Sequence, residues 1–446
     1  MRIIFHIGMH KTGSSSIQHT FARLKRPEFE YIDWNTGGNH SALFILLFED
    51  MEKLGDYHSF KARGPEFAGE LPALREKWRA RVSDQIARVG DKTVVFSAED
   101  ISGPRFATAV PRLYEFFAPR SDDISAFGYA RPPISFIASA FQQRLKSGNT
   151  PDIISGGASP HYRARFERID RVFGRENVRL REFSSSLLLG GDVVKDFAHE
   201  IGVGPLKEDE IIRTNESLSL EAVALLYVQR RLGHGFVAGF DRAHAANNTF
   251  ISLLNTIGNR KLAFSPQLLA PVLERERDDI AWMEERLGHP FSERGASHPD
   301  AIDSLDDLVD IALGQFDAVQ DVLGENAVDG PATTETLVRA LERLREQCYA
   351  QVAGALTATH SLQQKGNSAM STKTDRPQPT EEELRLRRVL ANILWHCDHK
   401  NDMPSDAAER KAAFNLVKQD YQRKALDMTR QLENNNLMIV ETEPKE

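Results

Sequence analysis

The chain has 446 residues, enough for about three domains or for one large domain with appendages. With 56 Lys plus Arg against 64 Asp plus Glu its formal charge is −8, which makes the chain a poor general binder of nucleic acid or anionic membrane and requires any anion site to be a local concentration of positive groups. An apolar share of 41% excludes a wholly disordered chain, and only two cysteines, Cys348 and Cys397, exclude a disulfide scaffold or a four-cysteine zinc site and fit a reducing compartment.

Residues 2–7, Arg-Ile-Ile-Phe-His-Ile, read as a buried strand with no basic and apolar leader before them, and no apolar run approaches the length of a membrane span. A cytoplasmic protein is the expectation. The spacing of Ile17, Phe21 and Leu24 predicts a helix directly after a glycine-punctuated loop. Helical patterns follow near 41–54, 71–89, 106–118, 134–147, 160–174 and 190–202, interleaved with strand patterns at 92–97, 123–130 and 177–183. Strands alternating with helices imply an α/β fold, a mostly parallel central sheet covered on both faces in three layers. From 218 the strand signals fade, and 218–232, 266–287, 299–323 and 331–360 read as a helical C-terminal extension. The expected organisation is an α/β core over 1–235, a helical extension over 236–360 on the acceptor side, a polar, Pro-containing linker over 361–379, and a charged helical tail over 380–446. The tail helices, patterned at 380–398 and 404–433, cover the core or pair with a partner, so assembly into an oligomer through them is one expectation.

Chemistry concentrates first in Gly8-Met-His-Lys-Thr-Gly13-Ser-Ser-Ser16, between the opening strand and its helix. Successive backbone N–H groups there, with the positive end of the helix dipole, form an anion site. Lys11 adds a full charge, and Ser14, Ser15 and Ser16 add hydroxyl donors. Gly8 and Gly13 keep the glycine spacing of the nucleotide-triphosphatase loop, but Ser14 stands where that loop has its lysine, and Lys11 lies inside the loop. The departure from that P-loop-type pattern counts against an ATPase or an ordinary kinase. The bland reading is a tight strand-to-helix turn with a lysine on its rim.

Lys11-Thr-Gly-Ser-Ser-Ser16 resembles the 5′-phosphosulfate loop of the sulfotransferases that use 3′-phosphoadenosine 5′-phosphosulfate (PAPS), and the longer stretch from His6 to Gln18 is similar to the bacterial branch of that superfamily. The family's second signature is an Arg at a strand end and a Ser eight residues on in the next helix, both on the nucleotide's 3′-phosphate. Here Tyr129-Ala-Arg131-Pro-Pro-Ile-Ser-Phe-Ile-Ala-Ser139 has that form. Pro132 and Pro133 suit a helix start, and Ile134, Ile137, Ala138, Phe141 and Leu145 form its apolar face, leaving Ser139 off the core stripe. Taken singly, Arg131 reads as a surface salt bridge and Ser139 as a solvated helix position. The resemblance covers roughly residues 1–230, and Arg213, in Arg-Thr-Asn-Glu-Ser217, sits where relatives supply a further nucleotide contact.

The resemblance implies sulfuryl transfer from PAPS to an acceptor hydroxyl, on a carbohydrate or glycan, with no metal required, with a nucleotide co-substrate and a small-molecule or glycan acceptor as partners, and with no nucleic acid and no membrane span. In that reading Lys11, Thr12, Gly13, Ser14, Ser15, Ser16, Arg131, Ser139 and Arg213 hold the nucleotide, and Lys11 stabilises the leaving phosphate. Two residues compete as the base. Glu99 follows the strand ending at Ser97, where strand ends line the ligand crevice of a parallel sheet; it also reads as an acidic helix cap with Asp100. His40 lies in Gly37-Gly-Asn-His-Ser41 with an unperturbed pKa suited to neutral pH, and also reads as a loop or N-cap histidine. A nucleotide-dependent kinase and a non-catalytic scaffold that kept the fold are the other two readings. His396-Cys-Asp-His399 reads as a helix end rather than a metal site, and His234 and His244 as flanks of a glycine-rich connector.

Overall fold

The computed structural model describes residues 1–367 apart from 35–37, 62, 64, 107, 151–158, 215–216, 235–240 and 294–299. The chain divides into two compact units, Met1–Ala358 and Thr359–Glu446. The rest of the expected linker and the tail, with its His396–His399 motif, lie outside the described residues.

Chain order runs β1 (Arg2–His6), α1 (Ser14–Arg23), β2 (Phe29–Tyr31), α2 (Ser41–Phe48), the short α3 (Met51–Leu54) and α4 (His58–Lys61), α5 (Leu71–Ala87), β3 (Thr93–Ser97), α6 (Ala109–Phe117), β4 (Asp123–Ala130), α7 (Pro133–Lys146), α8 (Tyr162–Phe173), β5 (Val178–Glu182) and α9 (Val193–Glu200). Helices follow to the end of the described chain: α10 (Leu220–Leu232), α11 (Asp241–Leu254), α12 (Pro266–Arg275), α13 (Arg277–Leu287), α14 (Asp307–Leu313), α15 (Phe316–Leu323) and α16 (Thr334–Asn367). The segments 266–287 and 299–323, each expected as one helix, are two apiece, parted at Glu276 and at Gly314-Gln315. α16 reaches Asn367, past residue 361, where the sequence predicts a linker.

The five strands form one parallel sheet in the order β2-β3-β1-β4-β5. This is the α/β, mostly parallel architecture expected from the alternating pattern. β-branched and aromatic residues make the strands, and their alternation splits the core into two sides. Ile3, Phe5, Val94 and Phe96 face α2, α5, α6 and α8, where Phe5 stacks on Phe96 at 5.3 Å and meets Phe117 edge-on at 5.1 Å. Ile4, Val95 and Phe127 face α1 and α9 through Ile17, Phe21 and Phe197. A second core joins the outer side of α7 (Ile137, Phe141, Leu145) to α10, α11, α12, α14, α15 and the first turns of α16. α10 thus packs with the helical extension although it precedes residue 235, while Met283 of α13 returns to the sheet core.

Two histidines are sealed into this core. His6 Nδ1 meets Ser97 Oγ at 2.8 Å; His40 Nδ1 accepts from the Ser97 N–H at 3.0 Å while its Nε2 donates to the Ile32 carbonyl at 2.7 Å. Burial holds His6 at about 3 and His40 at about 4, below the usual 6.5. The folded chain keeps both neutral, whereas the unfolded chain protonates them below pH 6.5. Their contribution is therefore fully present above about pH 6.5 and is lost as the pH falls towards 4, by about 1.4 kcal/mol per pH unit for each ring. The variant His40→Gln should flatten the fall of melting temperature between pH 6.5 and 4, and an unchanged slope in a calorimetric pH series would contradict it.

Candidate active site

β1 lies at the sheet centre, with β3 on one side and β4 on the other, so the crevice at its carboxyl end is where strand order reverses and ligands enter such sheets. The chain leaving β1 stays against β4: the Ile7 and Met9 N–H groups donate to the Phe127 and Tyr129 carbonyls at 2.8 and 3.1 Å. That close passage requires Gly8, where a Cβ would lie 3.1 Å from the Tyr129 nitrogen. Gly13 sits at φ 75°, just before α1, and a Cβ there would come within 2.6 Å of Val193 Cγ1. Between these glycines Lys11 adopts φ 67°, a left-handed conformation rare for a side chain with a Cβ. The backbone N–H groups from His10 to Ser15 donate to no group among the described residues. They form an open row of donors at the N-terminus of a ten-residue helix.

The hydroxyls expected to line this loop divide into two kinds. Thr12 is fully buried and donates to the Met9 carbonyl at 2.6 Å, so it shapes the loop from inside rather than facing a ligand. Ser16 is also buried and accepts the Thr214 N–H at 3.1 Å, which ties the 211–214 segment to α1. Ser14 Oγ, by contrast, is buried without a hydrogen bond of ordinary geometry, and Ser15 is half-buried at the helix start.

Arg131 joins this loop directly. Although 120 positions away in the chain, its guanidinium donates to the Lys11 carbonyl and lies 5.5 Å over the Phe183 ring, while its buried Nε has no partner. Lys11 in turn donates its ammonium to Gln143 Oε1 on α7, the helix that carries Ser139. The loop, Arg131 and one face of α7 are thus one constellation. Ser139 is half-buried and makes no hydrogen bond among the described residues. The N-terminus of α7 is not part of the open site: the Glu293 carboxylate accepts from the Ile134 and Ser135 N–H groups there, the second at 3.1 Å. Arg213 differs from the expectation. Its exposed guanidinium is spent on Asp192 at 2.8 Å and Glu208 at 2.6 Å, so it brings no free charge to a nucleotide.

Glu99 opens a single 3-10 turn (Glu99–Ser102) at the end of β3, beside the loop. Burial raises its pKa, and Asp100 adds to the rise, while His10, Ser14 and Lys11 oppose it. His40, the rival base, is wholly buried with both ring nitrogens committed to backbone groups, so it has no lone pair to offer a substrate. That corrects its expected candidacy; it braces β3 instead. Sequence reasoning missed His10, whose Nε2 meets Asp100 Oδ1 at 2.5 Å, while Asp100 Oδ2 accepts from Tyr57 at 2.6 Å. Burial would lower the His10 pKa, but Asp100 and Glu99 together raise it and the net shift is upward. The signal available was its place in the loop, one residue before Lys11. His234 and His244 lie elsewhere, at the end of α10 and within α11. Among the described residues no group of His, Cys, Asp and Glu is arranged to hold a metal ion, and no helix is long and apolar enough to cross a membrane.

No family model and no curated protein matches the chain. Two solved structures are similar to it. A sulfotransferase from Alicyclobacillus acidocaldarius is 14% identical with a TM-score of 0.36, over 66% of this chain and 99% of that one. A sulfotransferase domain from the curacin biosynthetic pathway is 12% identical with a TM-score of 0.29, over 48% of this chain and 78% of that one. Similarity this low carries no functional argument, and the chemistry has to follow from the side chains themselves.

Proposed function

We propose that the chain is a sulfotransferase that binds PAPS and moves its sulfuryl group to an acceptor hydroxyl, the acceptor being a carbohydrate or glycan. The observation that carries the reading is the meeting of Arg131 with the Lys11 loop, where the buried Arg131 Nε has no partner among the described residues. A buried donor without a partner is costly, and an anion bound between the loop and Arg131 would satisfy it. The open N–H groups of His10 to Ser15 suit the 5′-phosphosulfate, and Arg131 with Ser139 suits the 3′-phosphate.

In the reaction Glu99 accepts the proton of the acceptor hydroxyl. The new bond forms between that oxygen and sulfur as the bond from sulfur to the bridging oxygen breaks. The electron pair departs on the 5′-phosphate, whose growing charge the Lys11 ammonium stabilises. Sulfuryl transfer needs positioning and charge stabilisation rather than a protein nucleophile, and this site offers those two things. The resemblance of the loop to that of PAPS-dependent enzymes supports the choice of nucleotide, and it alone supports a glycan acceptor.

Titration calorimetry with 3′-phosphoadenosine 5′-phosphate (PAP) and adenosine 5′-monophosphate tests it. The wild type should bind PAP at least about tenfold more tightly, the effect of one charge-assisted contact, and Arg131→Ala should erase that preference. Equal affinity for the two nucleotides in the wild type would contradict the assignment.

A further inference from the structure

α7 presents a polar stripe to the loop that extends beyond the residues used so far. Ser139, Gln143 and Lys146 stand at i, i+4 and i+7, which places them on one face of a helix. The hydrogen bond from the Lys11 ammonium to Gln143 shows which way that face looks. Lys146 lies one turn beyond Gln143, half-buried, and its ammonium makes no ion pair or hydrogen bond among the described residues. Nor is it needed to cap α7. The last carbonyls of that helix are taken by Arg230 Nε, at 3.2 Å from the Leu145 oxygen, and by Asn247 Nδ2, at 3.0 Å from the Lys146 oxygen.

Lys146 thus stands on the α7 face to which Lys11 is tied through Gln143. Burial lowers the pKa of each, and the charge of Lys146 is the next cause of the fall at Lys11. Glu99 faces Lys11, but no carboxylate pairs with Lys146. Like charges held together in partly desolvated surroundings are unfavourable until an anion lies between them. The Lys11 ammonium reaches this face from a residue held in a left-handed conformation.

From this placement we infer that Lys146 is a second cationic ligand of the transferred sulfuryl group, meeting a terminal sulfuryl oxygen while Lys11 serves the bridging oxygen. The inference rests on the reading of the site as a PAPS site. It assigns Lys146 to the sulfuryl group and not to either nucleotide phosphate, and that distinction can be measured.

The experiment uses the full chain, with Lys146→Met and Lys146→Arg, titrated with PAPS and with PAP, which lacks the sulfuryl group. Lys146→Met should weaken PAPS about tenfold or more, leave PAP within about twofold, and leave the melting temperature of the free chain no lower than wild type. Lys146→Arg should recover part of the PAPS affinity. Equal weakening of both ligands would overturn the inference by placing Lys146 on a phosphate, and unchanged affinity for both would overturn it by leaving the residue without a ligand. Both outcomes leave the PAPS reading standing. A wild type that binds neither nucleotide removes that reading and the inference with it.

Discussion

Replacing Lys11 by alanine should lower turnover by about 10²–10³-fold, the usual effect of removing one preorganised group from developing charge, while moving the melting temperature by no more than about 2 °C. The two halves of the expectation come from different observations. The ammonium belongs to the loop that carries the open row of N–H groups, and it is held by Gln143 with Arg131 and Lys146 as its cationic neighbours. In the proposed reaction its loss removes the charge assigned to the leaving oxygen. The fold, however, does not depend on it: the side chain is half-buried, and what anchors the loop is Thr12 on the Met9 carbonyl and the glycines at 8 and 13. Alanine tolerates φ 67° no worse than lysine does. Turnover equal to wild type, measured with any acceptor that supports transfer, would remove Lys11 from the chemistry. A collapse in melting temperature would mean that its role is structural.

Glu99→Gln should have an effect as large on turnover, about 10²–10⁴-fold for a lost general base, with the opposite sign on stability. The carboxyl is half-buried, and burial raises its pKa above the usual 4.5. A carboxyl whose folded pKa is raised contributes stability that is fully present below the unfolded pKa and is lost as pH rises through the folded one. Above that window the wild type carries an unfavourably buried charge, and glutamine does not. The variant should therefore be inactive yet more stable than wild type at pH 7–8, with the difference shrinking towards pH 4. The same shift places the acid limb of the wild-type kcat/KM profile above pH 4.5. Loss of activity with equal or lower stability at pH 8 would show that Glu99 is ionised at no cost, and would weaken its assignment as a base tuned by burial.

How far the chain could be read in advance depends on the range of the interactions involved. The strands β1, β3, β4 and β5 are runs of β-branched and aromatic residues whose burial is a local property, and they stand within a residue of their expected bounds. β2 is only Phe29–Tyr31, too short to show a period, and it exists because it pairs with β3. The glycine loop and the Arg131–Ser139 pair were legible because each is a local spacing. Which loop hydroxyl faces a ligand was not: Thr12, Ser14 and Ser16 are alike in sequence, and their fates are set by Met9, Glu99 and Thr214. The choice between Glu99 and His40 was equally hidden. It turns on the Ser97 N–H, which reaches His40 across 57 positions only once β3 lies beside the loop before α2. The His10–Asp100 pair spans 90 positions and follows from the register that sets His6 opposite Ser97. Lys146 stood seven residues after Ser139, but nothing local said that this face of α7 meets the loop.

The proposed function requires that the Gly8–Ser16 loop and Arg131 together bind an adenosine that carries phosphates at both its 5′ and 3′ positions. A thermal-shift comparison of PAP against ATP with magnesium tests it most directly, because a ligand bound only by the folded chain raises apparent stability by RT ln(1 + [L]/Kd), about 2.7 kcal/mol at a hundredfold excess over Kd. PAP should raise the melting temperature and magnesium ATP should not. A rise with magnesium ATP and none with PAP would contradict the account and favour a kinase.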